Sequence, residues 1–551
     1  MQLPDSLEVA FYGIDNAKLT LILLYSMVET LCILFPLIFT TQVDTAWVRR
    51  YNGTGNEHDI ANDVVVDNLG YVYVTGGSKG LGSDYDYATI KYNPNGDTAW
   101  VRRYNGSLEF GGDMAYAIAV DSSGNVYVTG NGNELVTGED YVTIKYYPNG
   151  DTAWVRRYDG PGYGWDYSYS IAVDNSGNVY VTGESDKNYA TIKYYPNGDT
   201  AWVRRYHHSE TTTLDEAKAI AVDNSGNVYV TGFSNDSITL QDYTTIKYYP
   251  NGDTAWVRRY DGGGNYTDQA YSIAVDNSGC VYVTGGSCGP DLSTDYATIK
   301  YNPNGDTAWV RRYNGPEDWN DEASAIVVDD SGNAYVTGNS GGLYYTTIKY
   351  YSNGDTAWVR KYNGPVDNVN MAFAIAIDNS SNVFVTGRSA GSGTNDDYAT
   401  VKYYPYGDTA WVRRYNGPGN YFDWAHSIAV DNSGNVYVTG ESNGSDTNDD
   451  YATIKYNSTG DIEENHALSS SPKLKFEIQP NPARNYFTIR FARLVEYPAI
   501  RIFDFSGREV RKFTVKAQSL EKRISLNGIR PGVYFVKIND DVTIKKLIVT
   551  K

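Results

Sequence analysis

The sequence predicts an all-β fold, and three observations carry the prediction. The 551 residues include 52 Tyr and 54 Gly but only 4 Met and 5 His. Tyr favours strands and Gly favours tight turns, which excludes a helix-rich architecture. A motif, DTAWVRRY, first spans Asp44–Tyr51, and close copies place Trp at 47, 100, 154, 202, 256, 309, 358 and 411, a period of 52 residues. Each period holds four short segments rich in Val, Ile, Thr and Tyr, bounded by Gly, Asn, Asp and Pro, and each reads as a strand. Four strands per repeat of this length match a β-propeller blade, and eight copies of every segment give an eight-bladed β-propeller.

Taken in order, residues 1–43 read as a leader. The run from Ala17 to Thr41 is strongly apolar and reads as a secretory signal peptide. A transmembrane anchor is the alternative, but Glu29 and Pro36 interrupt the run. Cys32 follows Leu31, where a lipoprotein would want a small residue. Met27 offers a second start within the leader.

The propeller occupies residues 44–460. The most apolar and smallest segment, IAVD, suits the crowded axis, and DTAWVRRY, with two cations per copy, suits the outer edge. From inside out the strands are A (IAVD), B (VYVTG), C (TIKY) and D (TAWVRRY). The first D segment has no A–C set before it, and the last A–C set, ending at Tyr456, has no D after it. The N-terminal strand is therefore expected to complete the last blade and close the ring, which removes a free seam. The A–B and C–D connections, DNSGN and PNGD, are tight turns and barely vary. The D–A and B–C connections vary in length and sequence and emerge together, giving one plain face and one variable face.

Residues 461–475 read as a linker, and residues 476–551 as a second small β domain. Composition flips there: residues 472–551 hold 17 Lys and Arg against 7 Asp and Glu, a charge of +10 within a chain whose total is −20. The propeller and linker carry about −27. So acidic a main domain is a poor match for nucleic acid. Three Cys, at 32, 280 and 288, cannot build a disulfide framework or a Cys-based zinc site.

The repeated unit, A-I-A-V-D-x-S-G-N-V-Y-V-T-G followed by Y-x-T-I-K-Y, resembles the bacterial β-propeller repeat family (SBBP-type). The resemblance covers about 44–460, and it implies a fold rather than a reaction. The tail resembles the C-terminal sorting domain of type IX secretion cargo from Bacteroidetes-like bacteria. The matching residues are Pro480-Asn481-Pro482, Ile502-Phe503-Asp504 through Gly507, Leu526 and Gly528, Gly532-Val533-Tyr534, and Lys545-Lys546-Leu547-Ile548-Val549. That resemblance implies a small immunoglobulin-like β-sandwich recognised by the outer-membrane exporter. It also implies release to the medium or attachment to the cell surface.

Several residue sets are candidates for chemistry. An Asp opens or just precedes each inner strand: Asp59, Asp113, Asp166, Asp215, Asp268, Asp321 and Asp423, with Asn370 in the remaining blade. Such an axial acidic ring could hold a cation or a polar ligand. One per repeat is what a structural role requires, and each carboxylate is expected to pin its own loop through backbone N–H groups. A second Asp precedes most C strands, at 86, 140, 242, 295, 397 and 450, without EF-hand spacing. The D–A loops carry aromatics that do not repeat, among them Trp165, Trp319, Trp424, Tyr163, Tyr266 and Tyr421, with Phe110 and Phe422. Aromatic faces stack on sugars or on peptide side chains, so these six are the candidate ligand-binding residues. The repeated Trp and Arg pairs are expected to be blade structure. His207 and His208 point opposite ways in an extended segment and do not suggest a shared metal.

The expected function is that of an exported binding or scaffold module for carbohydrate or protein, acting through its variable face. A secreted polysaccharide hydrolase or lyase and a purely structural spacer are the alternatives. No catalytic motif is readable, and no cofactor or metal is expected beyond the option of calcium. The expected partners are the type IX machinery and an unknown carbohydrate or protein ligand. The chain is expected to be a monomer that meets membranes only through export or surface attachment.

Overall fold

The computed structural model describes residues 45–106, 111–162, 164–208, 214–236, 240–263, 266–290, 292–316, 319–458, 476–495, 499–504, 508–514, 519–538 and 544–550. The leader and the linker lie outside the described residues. Among the described residues there is no helix long and apolar enough to cross a membrane.

Thirty-two strands form eight four-stranded antiparallel sheets. In blade 1 the strands are Asp59–Val66 (A), Val72–Lys79 (B), Tyr85–Tyr92 (C) and Thr98–Tyr104 (D). The inner strands of neighbouring blades touch one another all the way round. Blade 8 is assembled from both ends of the chain. Its strands Asp423–Val430, Val436–Asn443 and Asp449–Tyr456 are completed by Thr45–Tyr51, with Tyr51 paired to Tyr451. The ring is thus closed by the N-terminal strand, as the stagger of the repeats requires.

The core lies between blades rather than within them. Eight clusters of buried apolar residues occupy the eight junctions. At the junction of blades 1 and 2, Tyr73, Tyr87 and Trp100 of one blade pack on Ala115, Ile118, Val126, Val128 and Ile144 of the next. Large flat rings against small aliphatic side chains fill the wedge between two twisted sheets. The Tyr excess is explained here, because its ring fills the wedge and its hydroxyl finds a partner across it. Tyr87 donates to the carbonyl of Val142 at 3.1 Å, and each C strand repeats this bond to the next blade.

A second link ties outer strands to the following C–D turn. Trp100 Nε1 and Lys91 Nζ both donate to the carbonyl of Pro148, at 3.2 and 3.1 Å, and Arg102 Nε donates to that of Gly150 at 2.6 Å. The Arg102 guanidinium lies 5.7 Å from the centre of the Trp100 ring. Gly150 has φ +87°, and an added Cβ would sit 2.9 Å from that ring. The turn therefore needs Gly both for its backbone and for the close approach. Seven junctions carry this link. At the eighth, from blade 7 to blade 8, the chain leaves through Asn457 and Ser458 towards the tail where the other blades turn into D.

The A–B turns are held by their Asp. Asp121 accepts the N–H groups of Ser123 and Asn125, both at 2.9 Å, and the hydroxyl of Tyr127 at 2.9 Å. Cys288 ends the B strand Val281–Cys288 and Cys280 immediately precedes it, and no disulfide joins the two.

The described tail has two small sheets around one core that includes Phe487, Ile489, Ile500, Ile502, Ile524, Val536 and Leu547. Most residues of the sorting motif have structural roles here. Asn481 donates to the carbonyl of Lys546 at 2.7 Å and accepts the N–H of Ile548 at 2.8 Å. Tyr534 donates to the carbonyl of Arg530 at 2.8 Å, Asp504 accepts from Arg508 at 3.1 Å, and Gly528 has φ +86°. Lys545 is exposed, as is Lys546. Gly507 lies outside the described residues.

Candidate binding site at the axial mouth

The seven aspartates at the inner strands are no more than 1% exposed, and they face into the blades. Each accepts an N–H from its own D–A loop. Gly53 donates to Asp59 at 2.5 Å, Gly106 to Asp113 at 2.5 Å, Gly160 to Asp166 at 2.7 Å and His208 to Asp215 at 3.0 Å. Gly262 donates to Asp268 at 2.8 Å, Gly417 to Asp423 at 2.7 Å, and Gly315 to Asp321. Asn370 instead donates to the carbonyls of Leu343 and Asn368. Burial pushes Asp113 and Asp423 up to about 6 against the lowering effect of these bonds.

The axis is lined by other side chains. Every A strand carries a β-bulge three residues after its recurring Asp or Asn, the fourth position counted from that residue, where its pairing to B skips a residue. A bulge turns a side chain away from the sheet. The bulged residues around the ring are Asn62, Tyr116, Tyr169, Lys218, Tyr271, Ser324, Phe373 and His426. They meet from blade to blade: Tyr116 and Tyr169 have ring centres 5.9 Å apart, Phe373 and His426 6.1 Å, and Lys218 Nζ lies 4.6 Å from the Tyr169 ring. Within an otherwise monotonous strand, the second and fourth positions alone differ in nearly every copy. That variability was present in the sequence, inside a strand rather than in a loop.

Two aromatic rows connect the variable loops to this ring. The first runs from Trp165, 66% exposed, through Tyr167 and Tyr169 to Tyr116, with ring centres 6.3, 6.2 and 5.9 Å apart. The second joins Tyr421, Phe422 and Trp424 at 4.5 and 6.1 Å, with Arg388 stacked 4.4 Å from Trp424. The structure thus brings Trp165, Trp424 and Tyr421 of the expected residues into rows. Trp319 and Tyr266 are exposed and stand apart from both rows. Tyr163 and Phe110 lie outside the described residues. His207 faces Asp215 at 3.3 Å, and His208 faces Asp236 at 3.0 Å.

Beside the first row lies an acidic sector. Tyr169 is hydrogen-bonded to Glu216, and Tyr167 to Glu139. Lys218 pairs with Glu216 at 2.5 Å, and the Tyr271 hydroxyl lies 2.7 Å from Glu322 Oε1 and 2.6 Å from Gln269 Oε1, between which its one proton is shared. Glu184 is pushed up to about 7, first by burial and then by repulsion from Glu216, with Lys218 opposing. In blade 1, next to the Tyr116 strand, Asp63 accepts the Ser427 hydroxyl at 2.7 Å and the Ile118 N–H at 3.0 Å; burial pushes it up to about 6.

Comparison with known proteins agrees with this architecture. The model of a beta-propeller repeat matches residues 100–135, 153–190, 202–238, 308–345 and 410–446. The model of a secretion system C-terminal sorting domain matches residues 477–550. No curated protein matches the chain. Similar solved structures include a protein of unknown function from Bacteroides caccae, at 13% identity over 53% of this chain and 93% of that one, with a TM-score of 0.31. A protein from Lactobacillus plantarum is similar at 12% identity over 62% and 95%, with a TM-score of 0.41. A fungal alcohol oxidase of the AA5 family in complex with copper is similar at 13% identity over 79% and 96%, with a TM-score of 0.37. Likeness at these scores carries no inference about activity.

Proposed function

From the premise that this chain is an exported β-propeller with a type IX sorting domain, we propose that it is a binding protein that captures a carbohydrate chain at its axial mouth. The aromatic row from Trp165 to Tyr116 carries the reading. Ring faces at near-constant spacing offer successive apolar platforms to the C–H faces of sugars. Glu139 and Glu216 stand beside them, and Gln269 and Glu322 follow in blades 5 and 6, as acceptors for hydroxyl groups. Residue type at the second and fourth positions of the inner strands varies round the ring, as a ligand contact allows.

The test is a glycan array followed by titration calorimetry on the full chain. Trp165→Ala and Tyr169→Ala should each weaken binding about fivefold or more, whereas Trp319→Ala should leave it unchanged. Equal affinities for all three variants would sink the proposal. A basic peptide bound in place of any glycan would assign the acidic sector to a protein partner.

One observation favours a second reading. Glu184, held near half-protonation at neutral pH beside the Lys218-paired Glu216, has the properties of a general acid. A hydrolase would release reducing ends from the bound polymer, and Glu184→Gln would stop that release while sparing binding.

A further inference from the structure

Six of the eight blade junctions on the variable face share one polar node. A buried Asp opens strand C, and a second buried Asp opens the inner strand of the next blade. The second Arg of strand D bonds the first of them. Arg103 holds Asp86 at 2.6 Å, Arg259 holds Asp242 at 2.7 Å and Arg312 holds Asp295 at 2.8 Å. Arg414 holds Asp397 at 2.9 Å, and Arg50 holds Asp450 at 2.7 Å.

Blade 2 departs from this pattern. Its Arg157 turns to Glu134 at 2.5 Å and to the hydroxyl of Tyr104 at 2.6 Å. The cause is visible in strand B. Where Ser78 anchors Arg103 at 2.5 Å, blade 2 has Gly132, and Glu134 at the end of the same strand takes the guanidinium instead. The D–A loop also differs: most blades have Asn after the RRY motif, and this one has Asp159.

Three carboxylates therefore converge without the usual Arg ion pair, and Arg157 acts on Asp140 only from a distance. Oxygens of Asp140, Asp159 and Asp166 all lie within 4.8 Å of one another. Asp140 is 3% exposed and Asp166 is 1% exposed, while Asp159 is open to solvent. Asp140 Oδ2 accepts the Thr137 hydroxyl at 3.0 Å. Its Oδ1 is buried and has no hydrogen-bond partner among the described residues. Burial pushes Asp140 up to about 6; the Thr137 hydroxyl opposes this, Asp159 and Asp166 add to it, and Arg157 lowers it again. Uncompensated buried carboxylates repel one another unless a cation joins them.

We propose that Asp140, Asp159 and Asp166 bind one calcium ion at the junction of blades 2 and 3. The donors are all oxygen, which suits a hard cation rather than zinc or copper. Ion–oxygen bonds of about 2.4 Å allow ligand oxygens up to about 4.8 Å apart on one ion. The exposed Asp159 provides the entry, and water completes the shell on that side. The ion would fix the loop between Asp159 and Asp166, which carries Trp165. The junction of blades 4 and 5 has the same Asn-to-Asp change at Asp261, grouped with Asp242 and Asp268. There Arg259 already occupies Asp242, so that junction serves as an internal control.

The experiment uses the full chain, stripped with EDTA and titrated with calcium chloride alone. Calorimetry should give one site, and saturating calcium should raise Tm by about 2–5 °C. Asp159→Asn, which restores the residue common to the other loops, should fold normally and lose both the heat and the Tm shift. Asp261→Asn should retain both. A calcium response unchanged in Asp159→Asn, or no binding at millimolar calcium, would overturn the proposal. An equal response to magnesium at equal concentration would overturn the choice of ion.

Discussion

The hydroxyl of Tyr451 donates to the backbone carbonyl of Ala88 at 3.1 Å across 363 residues of chain. The same bond joins every other pair of neighbouring blades at a separation of 49–55 residues. The seam of the ring is therefore bonded like its interior. Tyr451→Phe removes this bond and leaves the Ala88 carbonyl to the Thr75 hydroxyl at 3.4 Å, and should cost about 1 kcal/mol in urea unfolding. Tyr243→Phe, in mid-ring, should cost the same. A much smaller loss at Tyr451 would mean that the seam is open in solution.

Removal of residues 44–51 strips the outer strand from blade 8 and bares the edge of Asp449–Tyr456. Thermal scans should show a sharp fall in Tm and concentration-dependent aggregation. An unchanged Tm would refute closure by the N-terminal strand.

Two glycines separate backbone strain from steric contact. Gly82 has φ +82° with open space around its Cβ position, so Gly82→Ala should cost about 1 kcal/mol. Gly150 has φ +87° and lies against Trp100 and Arg102. Gly150→Ala should cost about 3 kcal/mol or more, because it adds a clash and displaces the inter-blade link. Equal costs in chemical denaturation would count against the role given to that link.

The buried carboxylates set an unusual pH response. Asp63, Asp113 and Asp423 are pushed up to about 6, each first by burial, against about 3.9 unfolded. Between about pH 4 and 6 the folded state then binds more protons than the unfolded state. Stability should fall as pH rises through that window and stay lower above it. In EDTA, Tm should therefore be higher at pH 5 than at pH 7.5, and Asp63→Asn should reduce the difference. A Tm that falls steadily from pH 7.5 to 5 would contradict these shifts.

Deletion of residues 476–551 should leave the propeller folded but held in the periplasm. Cell fractionation reads this directly, and normal export without the tail would refute its sorting role.

The ring was legible in the sequence because repetition amplifies weak signals. One Val-Tyr-Val-Thr-Gly segment is an ambiguous strand, and eight in register are a blade. The stagger of Tyr51 and Tyr456 even disclosed how the ring closes. The mouth was less legible, for a physical reason. Attention fell on loop aromatics such as Trp319, yet Tyr169 and Lys218 sit inside a repeated strand, and only a bulge turns them to the axis. A bulge leaves no residue signature here, but position-by-position variation at the fourth residue of that strand would have revealed it. Arg157 was illegible for another reason. Its changed partner follows from Gly132, a residue on a different strand that sequence order does not connect with it.

Blade 8 also bears on which chains can fold. The strand Thr45–Tyr51 is made first and finds its partner, Asp449–Tyr456, only after 400 more residues have followed. A chain cut short anywhere in between presents two raw sheet edges and cannot hide either. The fold thus reports on its own completeness: only a chain that carries both Thr45–Tyr51 and Asp449–Tyr456 can close the ring.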